Sequence, residues 1–270
     1  MSHAHDNSVI SPTARAFVEA RRSARALADY PGAPPVSLEA AYVIQDDAIA
    51  LWPDRVAGWK LGRINAPHDA RFGAGRLAGP IFARNIWAAG DTPIRFGVID
   101  SGFAAVEAEY VLELAETAPD RDGWTAAEVA PLVGRAFTGI EIAGSPFAGI
   151  NDHGPAVTAS DFGNNAGLIL GREIVDWKGR LSGLVCTLTI EDSEVGRGGA
   201  AAIPGGPLDS LAFLLNLLHR RGRRLEAGQL VSTGAATGVH EIRAGQAASA
   251  DFGADGRIDC LAVPATGAIT

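Results

Sequence analysis

The chain is predicted to fold as an α+β protein, with a helical N-terminal portion followed by a β-rich body. Three observations carry this expectation. Residues 11–51 show only helical periodicity; most later apolar runs are short and end at glycine; and 33 glycines in 270 residues imply many tight turns, a trait of sheet-rich architecture. The change falls near residue 75, so residues 1–75 are expected to form a helical cap and residues 76–270 the β-rich body.

The first helix is predicted over residues 11–28, with Pro12 just inside its start and Phe17, Ala20, Ala24, Leu27 and Ala28 on one face. The turn residues of Tyr30-Pro31-Gly32-Ala33-Pro34-Pro35 break it. Ser37 can cap a second helix through Leu51, with Val43, Ile44 and Ile49 as its apolar stripe, and Pro53 closes that segment. Strands are predicted over residues 56–61, 79–82, 105–114, 137–143, 167–170, 184–190 and 230–233. Between the last two, a leucine-rich helix starts at Pro207 and stops at Gly222.

A net charge of -8 gives no general attraction for a phosphate backbone, so nucleic acid is not an expected partner. Arg21, Arg22 and Arg25, and the later group Arg220, Arg221, Arg223 and Arg224, read as solvated helix faces and ends. Two distant cysteines, Cys186 and Cys260, offer neither a disulfide framework nor a zinc site. The polar stretch from Met1 to Ser11 lacks a signal-peptide core, and no later run has membrane-spanning length, so no membrane association and a cytoplasmic location are expected.

Strand alternation puts Glu107 and Glu109 on one face of Val106-Glu107-Ala108-Glu109-Tyr110. Alone, such a pair is either a solvated face or a pair of ligands. Glu141, between Ile140 and Ile142, shifts the balance, because a carboxylate in an apolar strand needs a partner. Three carboxylates without an accompanying His or Cys suit a hard cation such as Mg2+ or Mn2+. Lys60 lies on the same strand face as Gly58 and Gly62, which leave room beside its amine, so it is either a surface lysine or a group that neutralises a carboxylate or moves a proton. Arg197, in Gly196-Arg197-Gly198-Gly199, sits either in a structural turn or in an active-site loop where it meets a carboxylate. Thr233-Gly234 either ends a strand or presents a hydroxyl and an amide to a substrate. His153, shortly after Glu141, is either a solvent-exposed loop residue or a proton donor; His68, His219 and His240 stand alone, and no Gly-x-Ser-x-Gly elbow is present.

Several motifs occur in a recognisable order: Ala41-Tyr42-Val43-Ile44-Gln45, Gly58-Trp59-Lys60-Leu61-Gly62, Glu107-Ala108-Glu109, and the run from Gly139 to Ser145 around Glu141. Gly196-Arg197-Gly198-Gly199, Gly206-Pro207-Leu208 and the run from Ala227 to Gly234 follow. Together they resemble the fumarylacetoacetate hydrolase superfamily, in particular its 2-hydroxydienoate (2-oxopent-4-enoate) hydratases and 4-oxalocrotonate decarboxylases. The resemblance implies a mixed β-sandwich or roll with an N-terminal helical portion. It also implies Glu107, Glu109 and Glu141 as ligands of Mg2+ or Mn2+, which chelates the 2-oxo and carboxylate oxygens of a small 2-oxo acid. Lys60 falls on the family's active-site lysine, and Asp161 and Asn165 fall on its polar loop. Homo-oligomers, and a complex with a sister decarboxylase or hydratase, are further implications.

The activity that follows is a metal-dependent hydro-lyase acting on a short 2-hydroxy-2,4-dienoate in aromatic or steroid ring catabolism. A 4-oxalocrotonate-type decarboxylase, an acylpyruvate-type carbon–carbon hydrolase and a non-catalytic assembly partner are the alternatives. Two departures bear on the choice. Leu77 stands where hydratases of this branch carry an acid, and Phe162 and Asn164 replace an expected asparagine and serine beside Asp161. A hydratase so altered needs another group to handle the proton, for which Asp161 and Lys60 are the candidates.

Overall fold

The computed structural model describes residues 10–267. The expectation about the polar N-terminal stretch therefore lies mostly outside the described residues. The strands, in chain order, are β1 Val56–Arg63, β2 Arg76–Phe82, β3 Ile86–Ala88, β4 Ile94–Val98, β5 Phe103–Leu114, β6 Val133–Ser145 and β7 Asn165–Glu173. They continue with β8 Val185–Ile190, β9 Ser193–Gly199, β10 Leu230–Ser232, β11 His240–Glu241, β12 Ala247–Asp251 and β13 Arg257–Pro264. An eight-stranded sheet has the order β2-β1-β10-β5-β6-β7-β3, with β11 also paired to β5. A five-stranded sheet has the order β4-β13-β12-β8-β9.

The two sheets pack on each other through β5 against β8 and β7 against β13. Tyr110 of β5 meets Phe252 edge to face at 5.8 Å between them. The strand β5 is buried along nearly its whole length, so its alternation separates two dry environments rather than core from water. That is why a carboxylate on either face needs a partner. The α+β class and the mixed two-sheet architecture agree with the expectation from sequence. β1 precedes residue 75, yet it is an interior strand of the larger sheet, between β2 and β10; the two N-terminal helices pack on each other and, through the second, on the helix Pro155–Ser160.

Those helices are α1 Pro12–Ser23 and α2 Leu38–Leu51, followed by α3 His68–Phe72, α4 Ala126–Val129, α5 Pro155–Ser160, α6 Trp177–Arg180 and α7 Gly206–Arg220. Serines cap the first two: the Ala14 amide donates to Ser11 Oγ at 3.5 Å and the Ala40 amide to Ser37 Oγ at 3.2 Å. α1 stops short of the predicted residue 28. Ala24 turns left-handed (φ 51°), and the Leu27 amide donates to Pro146 O at 2.8 Å, which draws the chain across the segment following β6. No described helix is long and apolar enough to cross a membrane.

Two arginine groups read as solvated are partly interior. Arg21 forms a buried pair with Asp161, described below, and Arg221 lies over the Tyr42 ring at 4.3 Å while donating to Asp46 Oδ1 at 2.7 Å. Tertiary packing overrides helix-surface expectation at both, since each guanidinium finds carboxylates and rings from elements remote in sequence. The glycine-rich segment around Arg197 is strand β9 rather than a loop. Its glycines permit close approach: a Cβ on Gly198 would lie 1.9 Å from Ala236 O, and one on Gly196 2.5 Å from His240 Nε2.

Candidate metal centre and its cavity

Glu107 and Glu141 are direct cross-strand partners in the antiparallel β5–β6 ladder, and Glu109 lies two residues along on the same face. Register therefore completes what alternation began. The three carboxylates are all buried, and each offers an oxygen within 4.8 Å of the others. Glu109 Oε2 accepts from Ser232 Oγ at 2.6 Å and from the Gly234 amide at 2.8 Å. Glu141 Oε1 accepts from Asn165 Nδ2 at 3.0 Å and faces Lys60 Nζ at 3.1 Å.

The remaining oxygens, Glu109 Oε1 and Glu141 Oε2, are buried with no hydrogen-bond partner. A buried carboxylate oxygen without a donor is costly, and two of them turned into one cluster of oxygen donors fit a divalent cation. The electrostatics agree. Burial first, and then the charge of Glu141, push Glu107 up to about 8. Glu109 is raised well above the ordinary range by burial and by the other two glutamates. A cation placed among them would remove that penalty.

Lys60 is buried and not a surface residue. Burial by itself would depress its ammonium, but the charges of Glu141, Glu107 and Glu109 outweigh it and hold its pKa above the ordinary value. Its three N–H groups meet Glu141, Gly163 O at 3.3 Å and Asn164 Oδ1 at 3.2 Å. A Cβ on Gly62 would come within 3.9 Å of Nζ, so the glycine does leave space beside the amine. Gly58 serves another end: a Cβ there would lie 2.4 Å from Leu230 O in β10.

Above this cluster opens a cavity of about 710 Å3 lined by Lys60, Glu107, Thr233 and Arg197, among others. Thr233 donates its hydroxyl to Tyr110 O at 2.7 Å, and Arg197 is an exposed residue paired with Glu194 at 2.8 Å. Asp161 and Asn165 do not line it. Asp161 is held by Arg21, with Nε to Oδ1 at 2.6 Å and Nη2 to Oδ2 at 2.9 Å, while Ser145 Oγ donates to Oδ2 at 2.6 Å. Asn165 reaches Glu141 instead of the cavity. Both residues thus brace the strands behind the glutamates.

Leu77 lines the cavity and is buried; Phe162 is buried against Trp52 and Phe82, at ring distances of 5.7 and 5.0 Å. Its carbonyl sits where a Cβ on Gly79 would be, 1.9 Å away. Sequence reasoning missed Ser232, Asn164, Asn151, Arg21 and His68. Ser232 was readable from the polar run that ends β10, whereas the others depend on contacts between distant segments. Among the remaining histidines, His153 packs on Phe147 at 5.5 Å and His219 pairs with Asp120 at 2.8 Å, but His68 lines the cavity.

No family model matches the chain. It is 29% identical over 239 residues to a 2-keto-4-pentenoate hydratase of Burkholderia vietnamiensis (strain G4 / LMG 22486), covering 85% of this chain and 88% of that protein. The solved structure of 4-oxalocrotonate decarboxylase from Pseudomonas putida G7, complexed with magnesium and adipate, superposes with a TM-score of 0.79 at 19% identity, over 93% of this chain and 96% of that one. Fumarylpyruvate hydrolase from Pseudomonas aeruginosa, in complex with Mn2+ and pyruvate, superposes with a TM-score of 0.59 at 15% identity, over 79% and 91%. The chain thus has the fold of the fumarylacetoacetate hydrolase superfamily and is similar, over most of its length, to members of that superfamily's hydratase and decarboxylase branch.

Proposed function

We propose that this chain is a divalent-metal-dependent hydro-lyase acting on a short 2-hydroxy-2,4-dienoate such as 2-hydroxypenta-2,4-dienoate, in the cytoplasmic breakdown of aromatic or steroid rings. The observation that carries the reading is the buried group of three glutamates with two partnerless oxygens, beside a charged lysine at a cavity. Glu107, Glu109 and Glu141 would hold Mg2+ or Mn2+, which when bound would stabilise negative charge developing on the substrate's 2-oxygen. Lys60 keeps its proton in this setting and supplies fixed positive charge to the substrate's carboxylate end. Leu77, Ile203 and Ala236 line the cavity with apolar surface. Thr233 and Arg197 are proposed substrate contacts, and Asp161 and Asn165 positioning residues behind the site.

The similarity to a protein named 2-keto-4-pentenoate hydratase supports the hydratase reading. A second reading, decarboxylation of a 2-oxo-enedioate, is favoured by Arg63 at the cavity, which suits a second carboxylate; Arg76 and Arg197 there are already paired with Asp209 and Glu194. Purified protein with Mg2+ is expected to bleach the ultraviolet absorbance of 2-hydroxypenta-2,4-dienoate, and Glu107→Gln to abolish this. Carbon dioxide release from 2-oxohex-3-enedioate would favour the decarboxylase, and cleavage of acetylpyruvate the hydrolase. Mn2+ binding without turnover of any of these acids would favour a non-catalytic assembly partner. Homo-oligomers and a complex with a sister enzyme belong to the same proposal, and light scattering of the pure protein, alone and mixed, tests them.

A further inference from the structure

We infer that His68 is the proton-transfer residue of this cavity, acting at the end of the substrate away from the glutamates. The inference rests on the lyase reading above. It starts from the cavity wall, where the buried Leu77 is apolar and offers no group to handle a proton. Neither candidate substitute is available. Asp161 has both oxygens engaged by Arg21, one also by Ser145, and it does not line the cavity. The amine of Lys60 has its three hydrogens directed at Glu141, Gly163 and Asn164.

Among the described residues that line the cavity, the other titratable groups outside the glutamate cluster are Arg63, Arg76 and Arg197. Guanidinium groups stay charged throughout the working pH range and do not exchange protons with a substrate carbon. His68 is left, and an imidazole ring carries two nitrogens that can give and take a proton.

Its placement is suitable on three counts. It is set on α3, directly after β1, the strand that carries Lys60. Its Nδ1 is buried without a protein partner, a costly arrangement unless water or a ligand engages it. Gly154 faces its ring with no side chain; a Cβ there would lie 3.7 Å from Cε1 and 3.9 Å from Nδ1. A polar wall links the two ends of the cavity: Lys60 Nζ donates to Asn164 Oδ1 at 3.2 Å and Asn164 Nδ2 to Asn151 Oδ1 at 3.2 Å, and Thr158 Oγ1, whose one hydrogen goes to Ile150 O at 2.9 Å, lies 3.4 Å from both Asn151 Oδ1 and Gly154 O. The glutamates lie at one end of that wall and His68 at the other.

In hydration of 2-hydroxypenta-2,4-dienoate, the imidazolium of His68 gives its proton to carbon 5 while the 2-hydroxyl loses its own, leaving a conjugated enone. The neutral imidazole then takes a proton from the water whose oxygen bonds to carbon 4. The 2-hydroxyl releases its proton to solvent water, and carbon 3 takes one back from solvent water as the ketone forms its saturated product. One water is added, and His68 returns to its starting charge.

The test uses the full chain with Mg2+. His68→Gln is expected to lower kcat by about 100-fold or more, the usual contribution of a general acid or base, while KM changes less than about threefold. In His68→Ala, added imidazole is expected to restore a measurable part of kcat. In 13C-histidine-labelled protein, the His68 ring signals are expected to shift with 2-oxopentanoate, whose chain reaches beyond pyruvate, and far less with pyruvate. Full kcat in His68→Gln would overturn the inference while leaving the lyase reading intact. So would a loss of kcat that imidazole does not rescue when Mn2+ affinity is unchanged. A parent protein that binds Mn2+ yet turns over neither dienoate nor enedioate would refute the lyase reading and the role of His68 with it.

Discussion

Replacing Lys60 with Met removes the ammonium that lies 3.1 Å from Glu141 and keeps the side chain's length and apolar stem. Lysine and glutamate are both buried, so the change strips a partner from an interior charge. It does not merely trim a surface pair. Breaking a buried pair in this way costs about 3–5 kcal/mol, and the upper end is lowered because a glutamate left alone can take up a proton. At about 2–4 °C per kcal/mol for chains near this size, the metal-free melting temperature should fall by roughly 10 °C. Circular dichroism melts at pH 7.5 with excess EDTA measure this directly. The variant should regain stability when Mn2+ is added, by about 2.7 kcal/mol at one hundred times its dissociation constant, because cation and ammonium neutralise the same carboxylates. A metal-free melt within 2 °C of the parent would refute the reasoning, as it would mean that Lys60 does not hold the glutamate charges apart (a threshold of about 2 °C is roughly half the effect of 1 kcal/mol at its largest).

Further outcomes follow from the same contacts. Because Glu107 is raised from its ordinary value to about 8 by burial and then by Glu141, the folded state holds a proton that the unfolded state has released over this interval. Metal-free stability should therefore fall as pH rises from the ordinary glutamate range to about 8, and Mn2+ should stabilise most at the upper end; melting temperature against pH, with and without Mn2+, checks the sign. Arg21→Met leaves the Asp161 carboxylate buried without its guanidinium and should cost about 3 kcal/mol in urea unfolding, with Mn2+ affinity changed little. Gly79→Ala places a methyl group 1.9 Å from Phe162 O in a packed contact between β2 and the segment after α5, so it should destabilise by about 3 kcal/mol or more. Unchanged melts in either variant would contradict the packing described.

Much of the candidate metal centre was legible because its logic is local. Alternation alone puts Glu107 and Glu109 on one face, and the isoleucines beside Glu141 mark a carboxylate out of place. That Glu141 stands directly opposite Glu107 is a matter of strand register, which depends on the pairing of whole strands and not on any short segment. The helices with serine caps and the leucine-rich α7 were readable for the same local reason. The early end of α1 was not, since it is drawn off by a hydrogen bond from Leu27 to the segment after β6. Asp161 was placed in the site on resemblance, yet its partner Arg21 lies 140 residues away and fixes it behind the cavity. The last strand, β13, alternates buried Ile258, Cys260 and Ala262 with more exposed neighbours, a period-two signal that was present and overlooked. His68 gave no signal in sequence because a lone histidine on a five-residue helix acquires meaning only from the cavity it lines.

The most direct test of the central claim is a Mn2+ titration of the parent protein and of Glu107→Gln, Glu109→Gln and Glu141→Gln, with free Mn2+ followed by electron paramagnetic resonance. The parent should take up one Mn2+ per chain, more tightly when oxalate is present to share the ion. Each variant, shown folded by circular dichroism, should lose affinity by at least about tenfold, the lower end of the loss on disturbing a metal's surroundings. Equal Mn2+ affinity in parent and variants, or no oxalate effect, would contradict the assignment of Glu107, Glu109 and Glu141 as the ligands that hold the substrate's metal.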